Sequence, residues 1–416
     1  MINKILISAC LFLSLVSFSQ EGTSSPYSFY GIGESRFNGS VESRSMAGLS
    51  VAPDSIHINL QNPAGYANLK WTAFTTAGSN SHTKQKSSTS SASEQRSTFD
   101  YLSLGIPLGK FGAAFGILPY SSVGYRIENI STDGSQNNKR FNGSGGLNRV
   151  FFGAGYRILP NLSVGANVYY NFGKIQTNSL EFFPYVPIGS RELNVTDLSG
   201  VNFNIGTMYQ YKINKKTTIF SSLYYTPKSI LVSDNTRTIG TVNFDSNYEV
   251  QGVDALEPVV TKTDLNLPQK WTFGAGIGDS KRWFFGSEIS FQGAGKLYNS
   301  YNTLDNVSYE KYQKYSFGGY FTPNPNPFVN YFKRITYRGG VKYEKTGLVV
   351  NSTSINDVGV TFGLGLPIKG SLSNVNLGFE LGKKGTTSNN LVQENYFKIN
   401  IGISLNDKWF VKSKFY

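Results

Sequence analysis

The chain has 416 residues, of which 14% are aromatic, 16% are charged and 44 are glycine, and its formal net charge is +13. Mean hydropathy is −0.25, and beyond the N-terminus no run of about 18 apolar residues occurs, which excludes a helical membrane protein. No P-loop, Rossmann or metal-ligand spacing is present, and Lys and Arg are scattered rather than blocked, which argues against nucleic acid as a partner.

Residues 1–19 read as a signal peptide: Lys4 supplies the positive charge, Ile5 to Phe18 the apolar run, and Ser17-Phe18-Ser19 the small-residue cleavage region. The only cysteine, Cys10, falls inside this segment, so thiol chemistry, disulfides and Cys-based metal sites are excluded from the remainder.

Residues 20–69 differ in kind from the rest of the chain. They are rich in Gly and Ser, show no sustained alternation, and are punctuated by Pro53 and Pro63. A short helix is expected around Met46, Leu49 and Val51. The segment is too irregular for a strand and too apolar for a free tail, so it is expected to pack inside a lumen as a plug.

From Lys70 to Tyr416 the pattern is period two. About fourteen strands are expected, each near the ten residues that a tilted strand needs to cross a bilayer. Val201, Phe203, Ile205, Tyr209 and Tyr211 alternate with Asn202, Asn204, Gly206, Gln210 and Lys212. Val358 to Leu366, Val375 to Gly382 and Phe397 to Leu405 do the same. Successive strand side chains point to opposite faces, so each strand has one apolar and one polar face. A membrane barrel turns the apolar face to lipid and keeps Gly, Asn and charges in the lumen. The expected fold is therefore all-β, a transmembrane antiparallel barrel of about fourteen strands. Candidate lumen charges are Lys212, Glu288, Glu380 and Lys398.

Connections supply an independent sign. Tight ones (Gly109-Lys110, Leu159-Pro160, Asn214-Lys215-Lys216) alternate with long ones (Asn80–Ser97, Glu128–Gly146, Gln176–Asp197, Asp234–Lys262). That is the short-periplasmic, long-extracellular rule of outer-membrane barrels. The Pro-rich Pro323–Arg334 falls on the short side as an exception. The basic balance suits attraction to outer-membrane lipid or lipopolysaccharide. The third strand contains Leu118-Pro119-Tyr120. Proline cannot donate to a ladder, so a local break is expected there, either a bulge or a lateral opening.

Gly31-Ile32-Gly33, Ser45-Met46-Ala47-Gly48, Asp54 and Asn62-Pro63-Ala64-Gly65, followed at once by strands, resemble the FadL-type family of outer-membrane hydrophobic-compound transporters, in its Bacteroidetes-type version. The resemblance implies an N-terminal hatch in the lumen (Met46, Asn62, Pro63, Ala64 and Gly65), capture of a hydrophobic ligand among the outer loops, and sideways exit at the third strand. The expected function is passive uptake of fatty-acid-like small molecules across the bacterial outer membrane, with no cofactor and no catalytic residues. The alternative is a non-transporting subunit of a larger outer-membrane complex for protein secretion or barrel assembly, docked to other outer-membrane proteins.

Overall fold

The computed structural model describes residues 22–130, 137–184, 186–245, 250–279, 281–295, 306–326 and 328–409. The expected signal peptide and the terminal residues from Phe410 onward lie outside the described residues.

Fourteen antiparallel strands form one closed barrel. They are β1 (Thr72–Lys86), β2 (Ser91–Leu108), β3 (Phe111–Asn129), β4 (Asn138–Leu159), β5 (Leu162–Phe182) and β6 (Ile188–Lys212). Next come β7 (Thr218–Thr226, then Ser229–Phe244), β8 (Val250–Ala255, Val259–Leu267 and Lys270–Asp279), β9 (Trp283–Gln292) and β10 (Val307–Tyr309, then Tyr312–Phe321). The last four are β11 (Thr336–Val350), β12 (Thr353–Pro367), β13 (Asn374–Lys384) and β14 (Gln393–Asp407). Closure runs from the Gln393↔Lys86 pair to Asp407↔Thr72. It removes the sheet edge, whose unpaired backbone groups would each cost several kcal/mol in lipid.

The alternation sorts as lipid requires. Val201, Phe203 and Ile205 of β6 are exposed on the outer face, while Asn202 and Asn204 between them are buried inside. Phe362 and Thr361 of β12 divide the same way. A one-residue slip would drive the lumen asparagines into lipid, so register is strongly fixed.

Two expectations need correction. Most strands run well past ten residues, β6 reaching 25, while β9 and β13 keep to 10 and 11. Much of what reads as long loop is strand, and the β1–β2 hairpin narrows to residues 87–90. Beyond the bilayer a ladder needs backbone pairing but no apolar face, so polar runs such as Thr177-Asn178-Ser179 continue it. The helix also begins earlier than Met46. It spans Val41–Arg44, with the Ser40 side chain accepting from Ser43 N. It ends where Ala47 and Gly48 turn left-handed, a conformation that stops helices. Pro323–Arg334 does lie on the rim of the tight turns, where it holds one helical turn, Tyr331–Arg334, capped by Asn330.

Residues 22–69 touch inward-facing groups of strands around the barrel. Arg44 Nη1 donates to Asp100 of β2 and to Asn400 of β14. Ser50 donates to Glu288 of β9, and Asn204 of β6 donates to Gln61 O.

Candidate functional site

The wall is interrupted beside β3, and among the described residues the outer part of β8 (Val250–Ala255 and Val259–Leu267) likewise pairs only with β7. β3 pairs with β2 only from Phe111↔Leu108 to Ile117↔Leu102. Its outer half, Leu118 to Asn129, pairs on the other side with β4, with a register shift between Pro119 and Ser121. Toward β2 that outer half has no strand partner in the barrel. The break starts at the Leu118-Pro119-Tyr120 step, and the missing N–H of Pro119 accounts for a bulge there.

The N-terminal segment occupies the freed edge. Glu34 and Ser35 pair antiparallel with Ser122 and Ser121. Arg36 N donates to Tyr120 O at 3.0 Å, and Gly124 N donates to Ser28 Oγ at 3.2 Å. The Arg36 guanidinium reaches across to β2, donating to Thr98 Oγ1 and pairing with Asp100 at 3.3 Å. Ser121 to Tyr125 are consequently buried on both faces. Gly33 has φ +89°, and a Cβ there would stand 2.4 Å from Ser122 O, so only glycine permits this close approach.

Beside the break the inner wall is apolar. Val123 and Tyr125 of β3, Leu147 of β4, Ile175 of β5, Leu198 of β6, Leu231 of β7 and Leu265 of β8 form one buried cluster with Ile32. Phe29, Tyr120 and Phe141 pack against it. Arg149 closes its lower side, its guanidinium 4.1 Å from the Tyr120 ring and 4.3 Å from the Tyr169 ring.

The opposite arc is ionic. Lys342 bridges Glu380 at 2.7 Å and Asp357 at 3.0 Å. Lys384 holds Glu34 at 2.9 Å. Burial alone would raise the Glu34 carboxyl, but the nearby Lys384 and Lys398 ammoniums outweigh it and hold it well below the ordinary range. His57 lies 2.7 Å from Asp54 and 3.3 Å from Glu42. Burial disfavours its charge, yet the two carboxylates prevail and its pKa is raised.

Asn62-Pro63-Ala64-Gly65 opens a 3₁₀ turn, Pro63–Asn68, with the Asn62 side chain accepting from Ala64 N. This turn lies on a glycine patch of the wall. A Cβ on Gly112 would fall 1.9 Å from Tyr66 O, one on Gly165 2.4 Å from Pro63 C, and one on Gly206 2.0 Å from Asn62 Oδ1. Met46 is buried with Leu49, Val51, Phe220 and Phe284. Glu288 accepts from Ser50 and from Tyr224 OH at 3.0 Å. Glu380 pairs with Lys342, and the Lys398 ammonium lies over the Tyr396 ring. Lys212 stands apart, exposed at the short-turn end of β6. Sequence reasoning missed the strand-like Glu34–Ser35, Arg36, Asp100 and the apolar arc. The arc arises from residues scattered over six strands, and no local pattern marks it.

A closed barrel of this kind, with an apolar outer face, defines an outer-membrane β-barrel protein. Solved structures agree on the fold: the Ralstonia pickettii toluene transporter TbuX (15% identity, TM-score 0.61, 89% of this chain and 99% of that one) and the Pseudomonas putida toluene transporter TodX (16%, 0.60, 90% and 99%). A Pseudomonas aeruginosa FadL homologue is similar (10%, 0.59, 90% and 99%). No curated protein matches the sequence. The BamG family model matches residues 1–416, and the chain belongs to the BamG family.

Proposed function

We propose that the chain conducts hydrophobic, fatty-acid-like small molecules passively across the outer membrane, with residues 22–69 acting as a hatch and exit lying sideways between β2 and β3. The observation that carries this reading is the interrupted β2–β3 ladder, which opens directly onto the buried apolar cluster of β3 to β8. An apolar solute gains about 25 cal/mol for each Å² it removes from water. The arc therefore offers a resting place, and the gap offers a route to lipid that avoids the periplasm. The fold shared with two toluene transporters supports the same reading.

The test is a latch. Ser35 and Ser121 are register partners, so Ser35→Cys with Ser121→Cys places a disulfide across the freed edge. Oxidised cells should take up a labelled long-chain fatty acid at the rate of barrel-free cells, and a reductant should restore uptake. Equal uptake in both redox states would reject the lateral route.

A second reading has its own support. Membership of the BamG family and the aromatic turn on the short side, where Phe328 is 94% and Phe332 70% exposed, favour a subunit of a barrel-assembly or secretion complex. Exposed aromatics of this density mark contact surfaces. Extraction from the native outer membrane in mild detergent decides between them. Stoichiometric protein partners lost on Phe328→Ser with Phe332→Ser would favour the subunit; a lone barrel carrying a lipid-sized adduct would favour transport.

A further inference from the structure

The net positive charge is not spread evenly over the molecule. On the long-connection side several basic residues are matched by acids, while Lys84, Lys86 and Lys311 are exposed without an ion pair among the described residues. Lys139 pairs with Glu181, Arg140 with Glu128, Lys174 with Asp197, Arg237 with Glu192 and Lys262 with Asp234. On the short-turn rim the balance differs. Lys110 lies between β2 and β3, Lys212 ends β6, Lys215 and Lys216 lie between β6 and β7, and Lys281 and Arg282 between β8 and β9; all are exposed. Lys369 between β12 and β13, Lys408 after β14 and Lys70 before β1 continue the series, also exposed. None of these has an ion pair among the described residues. The acids of the same turns are Asp279, which is half-buried, and Asp407.

Four of these basic groups stand next to a large exposed apolar side chain at the end of the lipid-facing band. Lys110 adjoins Phe111, Lys212 adjoins Tyr211, Arg282 adjoins Trp283, and Lys369 adjoins Ile368. The Lys408 ammonium sits 4.9 Å from the Trp71 ring centroid. Aromatic rings anchor at the headgroup level of a bilayer, and lysine stems lying along apolar surface lift the ammonium to the same level. We infer that this rim is a binding collar for anionic phospholipid headgroups of the periplasmic leaflet. The shape of the charge selects the occupant. A protein partner would call for one contiguous patch, whereas these residues recur at turn after turn around the circumference, as an annulus of lipid would require. Basic residues near a membrane surface attract anionic lipid within a Debye length.

The collar is independent of transport, and its test leaves uptake aside. The full chain is placed in nanodiscs of phosphatidylcholine and phosphatidylglycerol in equal amounts, and retained lipid is counted by native mass spectrometry. Phosphatidylglycerol should be retained several-fold over phosphatidylcholine, and 0.5 M salt during reconstitution should abolish the preference. Lys110→Gln, Lys215→Gln, Lys216→Gln, Lys281→Gln and Lys369→Gln combined should bring the ratio close to one. Lys84→Gln with Lys86→Gln, on the opposite side, should leave it unchanged. Heat-modified gel mobility confirms that each variant is a folded barrel, since all the substitutions lie at turns or strand ends. A ratio near one for the unaltered chain, or an unchanged ratio in the rim variant, overturns the assignment. So does a rim variant that keeps its lipid but loses a co-purifying acidic protein.

Discussion

The two arcs of the inner wall differ in what they do with the same alternating pattern. From β3 to β8 the inward positions at one level are Val, Leu, Ile and Tyr, packed on Phe29 and Ile32. From β9 to β14 they include Glu288, Lys342, Glu380, Lys384 and Asn400, hydrogen-bonded to one another and to the N-terminal segment. Apolar packing is non-directional and can exchange a side chain for a solute. Buried ion pairs are directional, and removing one partner strands a charge. The ionic arc therefore holds the segment by directional contacts, while the apolar arc beside the break holds it by packing alone.

The largest test breaks the mooring. Asp100 faces both Arg36 and Arg44, so Asp100→Ala leaves two guanidiniums without their carboxylate, at a cost of about 3–5 kcal/mol. Limited trypsin digestion of the folded barrel should then cut within residues 22–69. Continued protection would show that the contact is not what holds the segment.

Crowding the glycine patch comes next. Gly165→Val should displace the Pro63–Asn68 turn and destabilise by about 1–3 kcal/mol, read as a lower thermal midpoint in detergent. The β8–β9 side should be spared, with native protection of its amides from hydrogen exchange.

The pH response is smaller and two-sided. His57 is raised above its ordinary 6.5. Its stabilising effect is fully present below about 6.5 and fades as pH climbs through the raised value. Asp54 is held below its ordinary range, because His57 outweighs the burial that would raise it. Its effect is present above about 4 and fades at lower pH. The segment should resist protease best in mild acid, and His57→Asn should flatten the alkaline limb. An unaltered alkaline limb in that variant would assign the effect elsewhere.

The smallest expected effect falls on Pro119. Glu34 and Ser35 already fill the β3 edge, so Pro119→Ala should change stability by less than about 1 kcal/mol and leave the break open. Uptake falling to background would show instead that proline alone makes the opening.

Strand number, facing and closure were legible because they rest on a local rule. Period-two alternation assigns every outward Val and Phe and every inward Asn, and lipid punishes a charged side chain at mid-bilayer by about 2–4 kcal/mol. Pro119 marked the break because a missing donor is visible in one residue. Strand length was not legible, since above the membrane the ladder continues without an apolar face. Asn62-Pro63-Ala64-Gly65 stood out in the sequence; the glycine patch beneath it is built from Gly112, Gly153, Gly155, Gly165 and Gly206, whose common purpose appears only when β3 to β6 lie side by side. Residue order alone specifies an alternating barrel with one weak step in its third strand. What seals that step emerges only in the folded barrel, because the seal joins Glu34 and Arg36 to Ser122, Asp100 and Lys384 across as many as 350 residues, and contacts of that separation leave no trace in local periodicity.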